Sequence, residues 1–335
     1  MRIFVQARHK YPAAVGGPGG GRVFDALVKG LAQLGHQVVY YLENTLEESL
    51  ENSQQINPEQ AIPVTKLPAN VSIVSEPVFD ADIYHLRSDS SLGAELERRG
   101  LPWVATCHTD LAVHGLARSR CRENWIYVSP SLARTYDSKR FIYNGIDPSE
   151  FTFREQKSDY LLFVSALPLA RRKGLDIAID CAREAGVKLV VAGSGRDQDL
   201  VREITKLCDV PGVEYVGEIF GKHKAGLFAG ARALLFPTQI NEAFGLVLAE
   251  AMISGTPVIT SDKGACMDIV NSKVGFVCHH FSQYLEAIKA VDNLSAHACR
   301  QHALDLYHYQ HMARAYVQQY RLEINKHRAA QVCIT

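Results

Sequence analysis

The sequence has no net charge to offer a polyanion: 36 lysines and arginines stand against 36 aspartates and glutamates. Such a chain has no whole-molecule attraction for nucleic acid, and a polyanion partner would need a local patch. No window reaches the roughly 18 apolar residues of a membrane span. The opening MRIFVQARHK holds only a short apolar run, broken by Gln6 and Arg8, and does not read as a secretory leader. The eight cysteines are scattered singly, without a C-x-x-C pair, so neither a zinc ribbon nor a dithiol redox motif is indicated. Without an export signal they read as reduced thiols of a cytoplasmic protein. Histidines thicken late, at His279, His280, His297, His302, His308 and His311. No carboxylate or thiolate completes a metal-ligand spacing there. Internal repeats and low-complexity segments are also lacking.

Short apolar strands alternating with helical stretches fill the chain instead. RIFVQA (2–7), QVVYYL (37–42), DIYHL (82–86), WVATCH (103–108), WIYVS (125–129) and FIYN (141–144) read as strands. Residues 22–34 place Val23, Leu27, Leu31 and Leu34 at helical spacing. The polar, proline-marked stretch 43–70 reads as loop. GIDPSEFTFREQKSDY, after Asn144, is the linker. The alternation restarts with YLLFVSA (160–166), KLVVAG (188–193), VEYVGE (213–218), ALLFPT (233–238), PVITSD (257–262) and GFVCH (275–279). Strands rich in Val, Ile and Leu, joined by helical crossovers, predict an α/β fold of two doubly wound parallel sheets. The expected domains are 1–150 and 151–309, with a helix near 310–328 packing back on the first. Ligands of such sheets bind outside the carboxyl ends of the strands, and facing domains would share a cleft.

The chemistry-bearing residues should therefore follow strands. AAVGGPGGGRV comes after the first, with five glycines among positions 16–21. Bare amides near a helix start can approach a phosphate or a sugar. The spacing is neither G-x-G-x-x-G nor the phosphate loop G-x-x-x-x-G-K-[ST]. Gly193-Ser194-Gly195 forms a second strand–glycine–helix junction, readable as a binding turn or a tight corner. In LPLARRKGLD (167–176), Arg171, Arg172 and Lys173 crowd a helix start, where cations oppose the helix dipole. An anion should compensate, either a carboxylate or a ligand diphosphate. His108 ends WVATCH, as a packing residue or a functional one.

NEAFGLVLAEAM (241–252) carries Glu242 and Glu250. Its helix should begin near Phe244 or Gly245 and stop at Gly255, leaving Glu242 in the loop. Along an ideal helix the two acids would be about 12 Å apart in rise and about 80° out of register. That is too far for acids acting on one bond, where about 5–10 Å is usual. A long ligand can bridge them; a dipole-favouring Glu and an ion-paired Glu are the alternative.

With YNGIDPSEF, KGLDIAI, LVVAGSG, VEYVGEI, NEAFGLVLAEAM and GTPVITSDKGA in order, the chain resembles the retaining glycosyltransferases of family 4, which have the two-Rossmann GT-B fold. The likeness covers nearly the whole chain and is strongest over 143–276. It implies donor-sugar contacts for Glu242 and ribose contacts for Glu250. It also implies backbone contacts from Ala243, Phe244, Gly245 and Leu246 to sugar and phosphate, and a diphosphate contact for Lys173. Gly193 falls in the donor site, Ile219 where the base packs, and His108 near the transferred sugar. Gly17, Gly19 and Gly20 match the family's glycine loop. The family's Gly-Arg pair is Ser165-Ala166 here, so Arg172 is the candidate replacement for that arginine. Front-face transfer needs no protein nucleophile. The triplets Asp80-Ala81-Asp82 and Asp197-Gln198-Asp199 read as structural, so no metal or other cofactor is expected and cations with helix amino ends would carry the leaving diphosphate.

The expected partners are a nucleotide-sugar donor and an acceptor on the amino-terminal domain. The loops 43–70 and 109–122 are the variable ones. Arg118, Arg120 and Arg122 could meet an acceptor phosphate or an anionic lipid surface, or simply be solvated. Peripheral membrane contact stays open. The rival readings are a silent nucleotide-sugar-binding module and a nucleotide-dependent oxidoreductase, the latter lacking the third glycine.

Overall fold

A computed structural model of the chain describes residues 1–9, 11–13, 19–43, 67–110, 121–195 and 197–332. It divides into two compact units, Met1–Asp147 with Tyr307–Thr335, and Pro148–Leu306.

The first unit opens with β1 (Arg2–Ala7), α1 (Gly19–Gln33), β2 (Gln37–Leu42), β3 (Val71–Val74) and β4 (Ile83–Arg87). There follow α2 (Leu92–Arg98), β5 (Trp103–Cys107), β6 (Trp125–Tyr127) and α3 (Pro130–Thr135). The six strands are parallel, in the order β3-β2-β1-β4-β5-β6. Ile3 registers with Val38 on one side and Ile83 on the other, and all three are buried. A central strand covered on both faces needs such a run. β3 had no clear sequence signal: Ser72 and Ile73 are exposed on this edge strand, so apolar continuity is lost. Residues 141–144, expected as a strand, form one bridge, Phe141 to Tyr127. α1 begins at Gly19, earlier than expected, and buries Val23, Phe24, Leu27, Val28 and Leu31 along one stripe.

The second unit runs β7 (Tyr160–Val164), α4 (Leu175–Ala185), β8 (Lys188–Ala192), α5 (Gln198–Cys208) and β9 (Val213–Tyr215). It continues with α6 (Gly221–Gly230), β10 (Ala233–Phe236), α7 (Leu246–Ile253) and β11 (Val258–Ser261). It ends with α8 (Cys266–Ile269), β12 (Gly275–Cys278), α9 (Phe281–Ala290) and α10 (Ala296–Tyr307). Its parallel sheet has the order β12-β11-β10-β7-β8-β9. The chain lays β7, β8 and β9 to one side, then returns to lay β10, β11 and β12 on the other. The carboxyl ends of β7 and β10 thus flank the point where strand order reverses, the place where an open α/β sheet leaves a crevice.

α11 (Tyr309–Val332) belongs to the first unit and packs on α1. A buried polar chain pins it: His85 bonds Tyr320 Oη and Thr106 Oγ1, each at 2.6 Å, and Thr106 Oγ1 meets Tyr316 Oη at 2.6 Å. Burial lowers the His85 pKa to about 3, so this network is built from a neutral ring. Among the described residues no helix is long and apolar enough to cross a membrane.

Candidate active site

Lys173 and Glu242 meet at the reversal point of the second sheet. Lys173 lies on the loop after β7 and donates from Nζ to Glu242 Oε1, on the loop after β10. Their side chains are only 17% and 7% exposed. Sequence separates the pair by 69 positions, and the parallel neighbours β7 and β10 bring it together. The approach is fixed from several sides. Gln239 N donates to Arg172 O at 2.9 Å, tying the two loops. Gly174, with φ +87, ends the first loop against Pro237; an added Cβ would collide with the Pro237 carbonyl. Phe236 places its ring 5.2 Å below the ammonium.

The loop after β11 holds Glu242 by its backbone. Glu242 bridges Gly264, and Ala265 N donates to Glu242 O at 2.9 Å. Thr238 Oγ1 lies 3.4 Å from Glu242 Oε1. Burial pushes the neighbouring Cys266 thiol up to about 12, with Glu242's charge adding to the effect. That cysteine is a neutral wall of the site.

Glu250 sits in α7 and is 2% exposed. Lys224 of α6 donates to its Oε1 at 2.8 Å, with Phe228 and Phe151 rings at 5.6 and 6.0 Å from the ammonium. Lys224 carried no motif in the sequence; only the proximity of α6 to α7 reveals it. α7 starts at Leu246, with left-handed Gly245 as its cap, so Ala243 and Phe244 precede the helix. Opening amides of a helix have no carbonyl within it to bond. Gly193, after β8, donates its amide to Gly217 O at 2.9 Å and accepts from Tyr215 Oη at 3.0 Å. Ile219 is half-buried on the loop after β9.

The cation cluster is compensated by carboxylates. Arg171 pairs with Asp176 at 2.7 Å and Glu203 at 3.0 Å, and Lys173 with Glu242. The Arg172 side chain is exposed and makes no ion pair among the described residues. Both D-x-D triplets are occupied structurally. Asp82 Oδ2 accepts from Arg2 N at 2.8 Å and Asp80 Oδ1 from Arg2 Nε at 3.2 Å. Asp197 caps α5 through Asp199 N at 2.9 Å. Among the described residues no three His, Cys, Asp or Glu side chains gather into a metal-holding group.

In the first unit His108 follows β5, with Phe24's ring 5.2 Å away. Desolvation, with Arg87's charge behind it, lowers the His108 pKa to about 4. Gly19 and Gly20 form the first turn of α1 and are not loop residues. Gly17 lies outside the described residues, as do Arg118, Arg120 and most of 43–70. Arg122 pairs with Glu97 at 3.5 Å.

Two Rossmann-like units with identical strand orders define the GT-B class of α/β proteins. Residues 148–310 match the family of glycosyl transferases group 1. An uncharacterized glycosyltransferase of Methanocaldococcus jannaschii is 32% identical over 161 residues, 41% of this chain and 40% of that protein. A phosphatidyl-myo-inositol mannosyltransferase of Mycobacterium leprae is 30% identical over 132 residues, 36% of this chain and 35% of that protein. The chain thus spans well under half the length of these curated relatives. Among solved structures, AviGT4, a glycosyltransferase involved in avilamycin A biosynthesis, superposes with a TM-score of 0.76 at 22% identity, covering 97% of this chain and 98% of that one. Anabaena HepE, solved with UDP-glucose, gives a TM-score of 0.67 at 17% identity, covering 97% and 100%. These likenesses extend the fold over both units.

Proposed function

We propose that this chain is a retaining glycosyltransferase of family 4, moving a sugar from a nucleotide-sugar donor to an acceptor held by the amino-terminal unit. The observation that carries the reading is the Lys173–Glu242 pair at the strand-order reversal of the second sheet. A cation and an acid with little solvent around them, beside the start of a helix, suit a ligand with a diphosphate at one end of its reacting bond and a hydroxylated ring at the other. The donor diphosphate takes Lys173 from Glu242, and the freed carboxylate accepts from the sugar hydroxyls. Glu250 takes the ribose hydroxyls and Ile219 packs the base. UDP-glucose in HepE supports a nucleotide-sugar ligand.

Cleaving the sugar–phosphate bond builds charge on the departing diphosphate, which Lys173 and the opening amides of α7 stabilise without a resident metal. Arg172, exposed beside Lys173, stands in for the arginine missing at Ala166. His108 acts as a neutral hydrogen-bonding group, because its pKa of about 4 leaves it uncharged at neutral pH. A soluble or membrane-peripheral cytoplasmic enzyme fits this reading.

Ser165-Ala166 also favours a second reading, a nucleotide-sugar-binding module without turnover. One experiment separates the two. The protein is screened by thermal shift against UDP-, GDP-, ADP- and dTDP-sugars, and the stabilising donor is then incubated and assayed for released nucleoside diphosphate. A donor that raises the melting temperature and is slowly hydrolysed supports the enzyme. Stabilisation without release supports the module, and no stabilisation by any donor overturns both.

A further inference from the structure

Gln6 and Arg8 break the apolar run of the opening sequence, and the structure gives both a place. Gln6 is buried within β1, only 1% exposed, and both ends of its amide are used. Its Nε2 donates to Glu43 Oε1 at 2.6 Å, and its Oε1 accepts from Arg87 N at 3.4 Å. Arg8 Nε donates to Glu43 Oε2 at 3.0 Å, and Arg8 Nη1 lies 4.0 Å from Asp89 Oδ2. Arg87 Nη2 donates to that same Asp89 oxygen at 2.7 Å. Glu43, Arg8, Asp89 and Arg87 thus follow one another in a row in which acid and base alternate. Glu43 comes directly after β2 and Arg8 directly after β1; Arg87 ends β4, and Asp89 follows two residues on. The row therefore crosses the carboxyl ends of three neighbouring strands, over the point between β1 and β4 where the order of the first sheet reverses. That is the edge at which an open α/β sheet binds its ligand. His108, directly after β5, feels the charges of Arg87 and Asp89 and borders the row as a neutral ring.

Resting on the glycosyltransferase reading, we propose that this row is the acceptor subsite and that Asp89 makes it select an uncharged saccharide over a phosphorylated group. A sugar hydroxyl both donates and accepts, so it suits a surface on which carboxylate oxygens and N–H groups alternate. Both guanidiniums approach Asp89 through Oδ2, and Oδ1 makes no hydrogen bond among the described residues. That oxygen can accept from one hydroxyl of the sugar while Arg8, 53% exposed, donates to its neighbour. A phosphate dianion only accepts, and guanidiniums presented together meet it best. Here Asp89 stands between the two guanidiniums and Glu43 flanks Arg8, so an anion would face two carboxylates along with the two cations.

The full chain is titrated calorimetrically with the methyl α- and β-glycosides of glucose, mannose, galactose and rhamnose, with maltose and with inorganic phosphate. We expect saturable binding of at least one saccharide and none of phosphate. Asp89→Asn keeps the shape of the side chain and removes its charge. In that variant the Kd for the saccharide should weaken about tenfold, the loss of a hydrogen bond to a charged acceptor, and phosphate should begin to bind. A merely structural Asp89 could lower affinity, but it would not exchange one class of ligand for the other. The Asp89 side chain is 44% exposed, so the variant should fold, which circular dichroism checks. Silence to every saccharide, phosphate binding to the unaltered protein, or an Asp89→Asn variant whose saccharide Kd is unchanged or which gains no phosphate binding overturns the proposal. Donor binding is read separately, as the thermal shift with sugar nucleotides. Its absence would sink the glycosyltransferase reading, while saccharide binding weakened by Asp89→Asn would still place a sugar on the row.

Discussion

Lys224 and Glu250 form an ion pair at 2.8 Å that lies almost wholly out of water, the carboxylate side chain 3% and the lysine 19% exposed. Glu250 is rooted in α7, and Lys224 reaches it from α6. Breaking a buried ion pair by removing one member costs about 3–5 kcal/mol. Lys224→Met should therefore destabilise the fold and disturb the position of the Glu250 carboxylate. If that carboxylate takes the proposed ribose hydroxyls, donor KM should rise about tenfold with kcat less affected. Lys224→Arg should restore most of both. Thermal melts and steady-state kinetics check this, and an unaltered Tm together with an unaltered donor KM would defeat it.

Lys173 is expected to act on the transition state more than on the ground state. In the proposed reaction its ammonium meets charge that grows as the sugar–phosphate bond breaks. Lys173→Ala should lose about 2–4 kcal/mol of transition-state stabilisation, by analogy with deleting one preorganised donor. The loss should fall on kcat as well as kcat/KM. Unchanged turnover in the purified, folded variant would remove Lys173 from the mechanism.

What the sequence made legible follows from the range of the forces involved. Alternating apolar runs disclosed most strands, because each central strand must be buried on both faces: residues 2–7 and 37–42 coincide with β1 and β2. β3 escaped because an edge strand needs no such run, and FIYN was misjudged because Phe141 is 40% exposed despite its apolar type. Glu242 and Lys173 were recognisable singly through family motifs. Their pairing was not, since it depends on which strands neighbour one another. Lys224 was illegible for a similar reason: its lysine looks like any other on a helix until α6 is laid against α7. The compensation of Arg171 by Asp176 and Glu203 came from the fold in the same way.

Lys157 predicts a pH dependence of stability independent of catalysis. Its ammonium reaches Ala229 O at 3.0 Å, Ser254 O at 3.3 Å and Thr256 Oγ1 at 3.0 Å, at the ends of α6 and α7. Burial nonetheless lowers its pKa from 10.5 to about 8. Between those values the unfolded chain holds a proton that the folded chain has released. The unfolded state thus binds more protons, and this residue's contribution to stability rises with pH from about 8 to about 10.5. Lys157→Met should lack this residue's share of the rise in stability above pH 8. Calorimetric Tm against pH for both proteins decides it: parallel curves would mean that Lys157 titrates as it would in water.

Gly264 tests whether the position of Glu242 matters apart from its charge. The glycine has φ +58 and bridges Glu242, and an added Cβ would run into the Glu242 backbone nitrogen and oxygen. Neither atom is the end of a flexible side chain, so Gly264→Ala must move one loop away from the other. The left-handed backbone adds about 1–2 kcal/mol of strain for any residue with a Cβ. Stability should fall by a similar amount. Donor affinity should fall with it, because Ala265 N, which holds Glu242 O at 2.9 Å, is the next residue. Gly212→Ala supplies the control: it too has positive φ, +83, but nothing lies within 4 Å of its added Cβ. It should share the strain and leave the donor Kd unchanged. Equal donor affinities for the two variants, measured by calorimetric titration of the cognate sugar nucleotide, would mean that the β11 loop does not position Glu242 for binding.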